Sequence, residues 1–142
     1  MNVVLETAPY TTECIECRSL IEVTVTEVLT AGTHEWDIAG DCPECGACWH
    51  DCSYPTPLLG MRAAILAANG PTDLRLDVGS ATSATVMHAL RKVQTLSLIE
   101  ARALAEELCS KGLSGTRVEM EILSVALRAA GAIVTTSFSG GV

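Results

Sequence analysis

Two C-x-x-C pairs, Cys14-Ile-Glu-Cys17 and Cys42-Pro-Glu-Cys45-Gly46, are separated by 24 residues and constrain this chain more than any other feature. A C-x-x-C turn points both of its sulfurs to one side, so two such turns supply the four thiolates of a tetrahedral metal site. Gly46 can take the positive φ that lets backbone amides approach the thiolates. Between the pairs, Ile21, Val23 and Val25 alternate with Glu22, Thr24 and Thr26; Ala31-Gly32 turns the chain, and His34 to Ile38 returns it. That pattern is a β-hairpin joining two metal-binding turns.

The spacing predicts an acidic zinc ribbon over residues 1–54, with one Zn2+ per chain held by Cys14, Cys17, Cys42 and Cys45. Four thiolates leave no open position for water, so such a zinc is structural rather than catalytic. Trp36 and Trp49 are read as covers for the site. A competing reading takes Cys42, Cys45, Cys48 and Cys52 as the C-x-x-C-x-x-C-x-x-x-C run of an iron–sulfur protein. Ferredoxins, however, use two such runs and have no distant C-x-x-C across a long hairpin. Cys48, His50 and Cys52 are then either packing residues of the ribbon's last strand or a second metal or redox group.

Seven cysteines in a chain without a basic-then-apolar leader point to metal ligation in a reducing compartment, and the expectation is a cytoplasmic protein. No apolar run reaches the roughly 20 residues of a membrane span. The net charge of −8 is unevenly distributed. Residues 1–57 hold Glu6, Glu13, Glu16, Glu22, Glu27, Glu35, Asp37, Asp41, Glu44 and Asp51 against Arg18 alone. A four-thiolate metal site adds to that negative charge, which disfavours nucleic acid as a partner of the ribbon.

Pro55-Thr-Pro57 breaks the chain, and residues 58–69 read as an apolar linking helix ended by Gly70-Pro71, within a link spanning 55–71. So apolar a helix must bury itself, preferably within its own chain. Beyond it, Leu74, Leu76 and Val78 alternate with Asp73, Arg75 and Asp77 as a strand. Three helices follow. The first spans about 83–93, with Val86, Met87, Leu90 and Val93 on one stripe. The second opens on the capping box Ser97 to Glu100, and the third on Thr116 to Glu119. The third is expected to carry Ile122, Val125, Ala126 and Ala129 inward. A closing strand runs from Ile133 to Phe138, and residues 139–142 read as a loose tail.

Val86-Met-His-Ala-Leu-Arg91, Leu96-Ser-Leu-Ile-Glu-Ala-Arg102-Ala-Leu104 and Ala126-Leu-Arg-Ala-Ala-Gly-Ala-Ile-Val134 resemble the C-terminal domain of the bacterial large-subunit ribosomal stalk protein. The resemblance covers about residues 73–138, within a domain set at 72–138, and implies a β-α-α-β-α-β fold. In that family two helices form a surface that recruits translation GTPases through lysines, an arginine and small apolar residues. Carried over by position, Arg91 keeps the arginine, Arg102 replaces a lysine and Met87 replaces an isoleucine. Ser83 and His88 stand where the family has lysines, and Lys92, Thr95 and Ser97 where it has glycines. The segment 109–115, a further short strand in the family, is shortened here. The stalk protein begins with a helical dimerisation domain, whereas this chain begins with cysteine pairs. The same fold also serves as a substrate adaptor of the Clp protease.

No P-loop, dinucleotide fingerprint, nucleophile elbow or H-E-x-x-H helix occurs, and His34, His50 and His88 are scattered. The expectation is therefore an α+β, non-enzymatic zinc adaptor that binds protein partners. Met87, His88, Arg91 and Arg102 offer one docking face, and the acidic hairpin offers another to a basic partner. The alternative is a packing component of a larger particle, such as a phage or other multi-subunit assembly. A third reading, an iron–sulfur electron carrier, follows only from a different metal. Oligomeric state is left open.

Overall fold

The computed structural model describes residues 3–138, so the expected tail at 139–142 lies outside the described residues. The chain divides into two compact units, Met1–Gly70 and Pro71–Val142. The described residues carry four helices and two antiparallel sheets.

The first unit is a four-stranded meander of β1 (Val3–Glu13), β2 (Leu20–Thr30), β3 (Thr33–Asp41) and β4 (Cys48–Tyr54), in the order β1-β2-β3-β4. Alternation does the sorting. Along β2, Ile21, Val23, Val25, Glu27 and Leu29 turn inward, because successive side chains point to opposite faces of a sheet. The β2–β3 hairpin closes between Thr30 and Thr33, with Ala31 and Gly32 both at positive φ. A bulge bends the last pair: Asp51 lies opposite Ile38 and Tyr54 opposite Trp36, so residues 52 and 53 face Asp37 alone.

The helix expected as a link, α1 (Met61–Asn69), belongs to this first unit and packs on β1 and β2. Met61 and Ile65, one turn apart, are fully buried in a core with Ala8, Val23, Val25, Trp36 and Ile38. Its two ends are tied to β1: the Tyr10 hydroxyl donates to the Leu59 carbonyl (2.7 Å), and the Asn69 side-chain amide donates to the Thr7 carbonyl (2.9 Å). The helix thus needs no second chain to cover Met61 and Ile65. Two carboxylates turn inward opposite one another, Glu6 on β1 and Glu27 on β2. Glu27 is wholly buried, and its Oε2 lies 2.8 Å from His34 Nε2 on β3.

The second unit runs β5 (Thr72–Leu76), α2 (Ser83–Val93), α3 (Leu98–Ser110), β6 (Leu113–Gly115), α4 (Arg117–Ala129) and β7 (Val134–Phe138), with strand order β6-β5-β7. The Ser97 and Thr116 capping boxes both form, each hydroxyl accepting from the amide three residues on while the Glu carboxylate accepts from the cap amide. Gly112, at φ 86°, ends α3 where a Cβ would stand 2.6 Å from the Leu74 carbonyl oxygen, so only glycine fits.

Two expectations fail here. Val78 lies outside β5 and is 86% exposed, because the Asp77 amide bonds to the Ile133 carbonyl and the Ser80 amide to the Asp77 carbonyl, turning the chain. On α4, Val118, Met120, Leu123, Ser124 and Leu127 face the core, whereas Val125 and Ala129 are exposed and Ile122 and Ala126 only half-buried. Apolar residues occupy two stripes of this helix at the same spacing, and the stripe with the bulkier leucines buries more area.

Ile65→Ala should remove about 2–4 kcal/mol from the first unit. Thermal melts followed by Trp fluorescence report that unit, which contains both tryptophans, Trp36 and Trp49, and hydrogen exchange of α2 and α4 should show the second unit unchanged.

Candidate metal centre

The four cysteines that could hold a metal lie where β1 turns into β2 and β3 turns into β4, both at one end of the sheet. Each turn repeats the same backbone circuit. Cys14 N donates to Ser19 O (2.8 Å) and Arg18 N to Cys14 O (3.1 Å); Cys42 N donates to Ala47 O (2.7 Å) and Gly46 N to Cys42 O (2.9 Å). The fifth residue of each circuit has positive φ, 65° at Arg18 and 77° at Gly46. Gly46 was expected to turn this way; Arg18 was not. Setting Cys-Ile-Glu-Cys-Arg-Ser beside Cys-Pro-Glu-Cys-Gly-Ala exposes the equivalence in the sequence, and it also matches Ser19 to Ala47.

The turns bring the sulfurs of Cys14, Cys17, Cys42 and Cys45 to within 4.8 Å of one another. Cys14 Sγ lies 3.7 Å from Cys45 Sγ, and Cys17 Sγ 3.6 Å from Cys42 Sγ. A tetrahedral ion bound at about 2.3 Å places its sulfurs about 3.8 Å apart, so the spacing fits a single metal ion. Cys14 and Cys42 are buried, and Cys17 and Cys45 exposed.

The surroundings shift three of these thiols, in opposite directions. The side-chain hydroxyl of Ser19 (3.3 Å), then its amide, hold Cys17 down to about 6. Amides of Cys17 and Glu16, the latter at 3.4 Å, hold Cys14 below the usual thiol value. Cys45 receives the Ala47 amide, but desolvation and the sulfurs of Cys14, Cys17 and Cys42 push it up to about 12. Hydrogen bonds to Cys14 and Cys17 thus favour their thiolates, while desolvation and the neighbouring sulfurs favour the thiol at Cys45.

Cys48, His50 and Cys52 stand at alternate positions of β4, all exposed. Four residues of extended chain separate the Cα atoms of Cys48 and Cys52 by roughly 13 Å. A disulfide needs at most about 7 Å, and two thiolates on one ion need a comparable approach. Within one chain these two sulfurs therefore neither pair nor share a metal, and among the described residues the four-cysteine set is the only gathered group of this kind. Cys42 and Cys45 thus sit with Cys14 and Cys17 rather than with Cys48 and Cys52. Cys48 instead meets Asp41 across the strand pair, whose hydrogen bond and charge raise its thiol. Trp36 is buried in the core of the first unit, and Trp49 packs against that core half-buried.

In the second unit, Met87, His88 and Arg91 line one groove between α2 and α3, together with Ala84 and Leu98. Arg91 Nε donates to the Leu96 carbonyl (3.2 Å), which pins the α2–α3 connection. Arg102 is not among the residues lining the groove; it pairs with Glu106 one turn along α3 (3.2 Å). No helix among the described residues is long and apolar enough to cross a membrane. Compared with known proteins, the chain matches no family model and has no significant sequence match among curated proteins.

Arg18→Gly should preserve metal stoichiometry and stabilise the first unit by up to about 1 kcal/mol, since a left-handed non-glycine residue costs about 1–2 kcal/mol and glycine returns part of that as entropy. Differential scanning calorimetry of the metal-loaded protein measures it.

Proposed function

We propose that this chain is a non-enzymatic zinc adaptor. One Zn2+ on Cys14, Cys17, Cys42 and Cys45 ties together the turns of an N-terminal zinc ribbon, and the α2–α3 groove of a stalk-like second unit docks a protein partner. The observation that carries the reading is the gathering of four thiols on two matching turns. A purely thiolate, tetrahedral set suits Zn2+ or a single iron rather than Mg2+ or Ca2+. A multi-iron cluster fills the space between its cysteines and would hold the sulfurs farther apart than these. With four protein ligands no position remains for a substrate or a water, so the ion's contribution is to stability.

The partner-binding half rests on the stalk-protein resemblance and on the groove that gathers Met87, His88 and Arg91. An exposed arginine beside apolar Met87 and Leu98 suits an apolar contact rimmed by an acidic residue of the partner. A translation GTPase is the partner class that the resemblance suggests. The acidic outer residues of the ribbon suit a second, basic protein.

Elemental analysis of protein purified without a chelating tag should find one zinc per chain, and chelation should abolish the cooperative melt of the first unit while leaving the second folded, because structural zinc sites contribute about 10–16 kcal/mol of binding free energy. Iron would overturn the zinc assignment, and no metal would overturn the ribbon reading altogether. For the groove and the adjoining α3 surface that carries Arg102, capture of binding proteins should fall at least about tenfold, roughly 1.4 kcal/mol, in Arg91→Glu/Arg102→Glu. His88→Glu, which leaves the Arg91–Leu96 hydrogen bond in place, should weaken it in the same direction. Unchanged capture by both variants, with native circular dichroism, would limit the resemblance to fold.

A further inference from the structure

The two turns share their backbone circuit and differ in side chain at three positions. At the second, Ile15 stands against Pro43, neither with a polar side chain; the polar differences fall on one side, with Arg18 against Gly46 at the fifth position and Ser19 against Ala47 at the sixth. The Cys17 thiol donates to the Ser19 hydroxyl oxygen at 3.3 Å, and once Cys17 is a thiolate that hydroxyl is the one group of the pair with a hydrogen to give; alanine at 47 offers Cys45 no side-chain hydroxyl. Arg18 also places a cation next to Cys17 in sequence, where Gly46 places none beside Cys45. The other two ligands, Cys14 and Cys42, are 1% and 2% exposed, whereas Cys17 and Cys45 are both exposed.

A metal-bound thiol is already deprotonated, so its reactivity depends on access and on how far hydrogen bonds and nearby cations withdraw its charge. Access eliminates Cys14 and Cys42. Charge withdrawal then disfavours Cys17. On the basis of the metal reading above, we propose that Cys45 is a modification site: the ligand through which a hydroperoxide opens the centre, with Ser19 shielding Cys17 from the same reaction.

The chemistry closes on residues already in place. The Cys45 thiolate attacks a peroxide oxygen; an S–O bond forms as the O–O bond breaks, and the departing hydroxide takes a proton from solvent to become water. Cys14 Sγ, 3.7 Å away, then attacks the sulfenic sulfur. An S–S bond forms across the two turns, and the second oxygen leaves as water after taking up protons. Two thiolates lose two electrons and one peroxide gains them, giving two waters. With two of its four ligands consumed, the centre no longer holds its ion. The linkage formed is Cys14–Cys45, between turns, rather than a disulfide inside either C-x-x-C.

The test uses the full chain with its zinc content measured beforehand. The protein is treated with substoichiometric hydrogen peroxide, zinc release is followed with a chromogenic chelator, free thiols are blocked with a maleimide in acid, and the products are mapped by peptide mass spectrometry. Cys45 should be the first cysteine oxidised and Cys14–Cys45 the first disulfide. Ser19→Ala should raise the share of early oxidation at Cys17 several-fold, and Ala47→Ser should slow zinc release several-fold. First oxidation at Cys17, equal oxidation of Cys17 and Cys45 in the wild-type chain, or a first disulfide within a turn would overturn the proposal while leaving the metal reading intact. A preparation holding no metal before peroxide is added would overturn both.

Discussion

Four sulfurs held within 4.8 Å of one another are a source of repulsion as thiolates, with each close pair costing about 4 kcal/mol at an effective dielectric near 20. A cation among them reverses the sign. The first unit gathers the four sulfurs where a single ion could bring about that reversal. Its strands turn twice at one end of the sheet, each turn orients two sulfurs, and the Arg18 and Gly46 backbones accept left-handed geometry to do so. A single core in a unit of this size, Met1–Gly70, rarely supplies more than about 3–5 kcal/mol, and a bound ion would add to it. Its core of Val23, Val25, Trp36, Ile38, Met61 and Ile65 is completed only when α1 lies across β1 and β2.

The second unit stands on different physics. Leu74, Leu90, Leu108 and Leu127, all at most 2% exposed, form a continuous hydrocarbon core, and two reciprocal capping boxes fix where α3 and α4 begin. Little charge is buried there. Its Arg91 spends one hydrogen bond on the Leu96 carbonyl and still faces solvent beside Met87 and His88, so a single residue both shapes the α2–α3 groove and lends it charge.

The likeness of the two metal turns extends the same logic to reactivity. The two turns repeat one backbone circuit with unlike side chains at three positions, Ile15 against Pro43, Arg18 against Gly46 and Ser19 against Ala47, and the proposed difference between Cys17 and Cys45 rests on the last two. Ser19 and Arg18 stand only on the Cys17 side. Such inequality would be invisible in a list of four cysteines, and it becomes legible only when the two circuits are laid over one another.

Much was determined by the sequence alone. The two C-x-x-C turns, the β2–β3 hairpin, the two capping boxes and the extent of α2 all rest on interactions within a few residues, where spacing and periodicity are complete descriptions. Three features were decided only by the tertiary structure. β1 carries Pro9 and threonines on one face and buries Glu6 and Ala8 on the other, so it has no strong hydrophobic alternation; it becomes a strand because β2 offers an edge and α1 a cover. On α4 two apolar stripes compete at the same helical period, and the choice falls to whichever fits α2 and the sheet. Glu27 alternates in phase with valines and is drawn into the core with them, where His34, seven residues on and across the hairpin, supplies its partner. Local chemistry writes periodicity into a chain, but which of two permitted faces is buried depends on surfaces that exist only once distant segments have met.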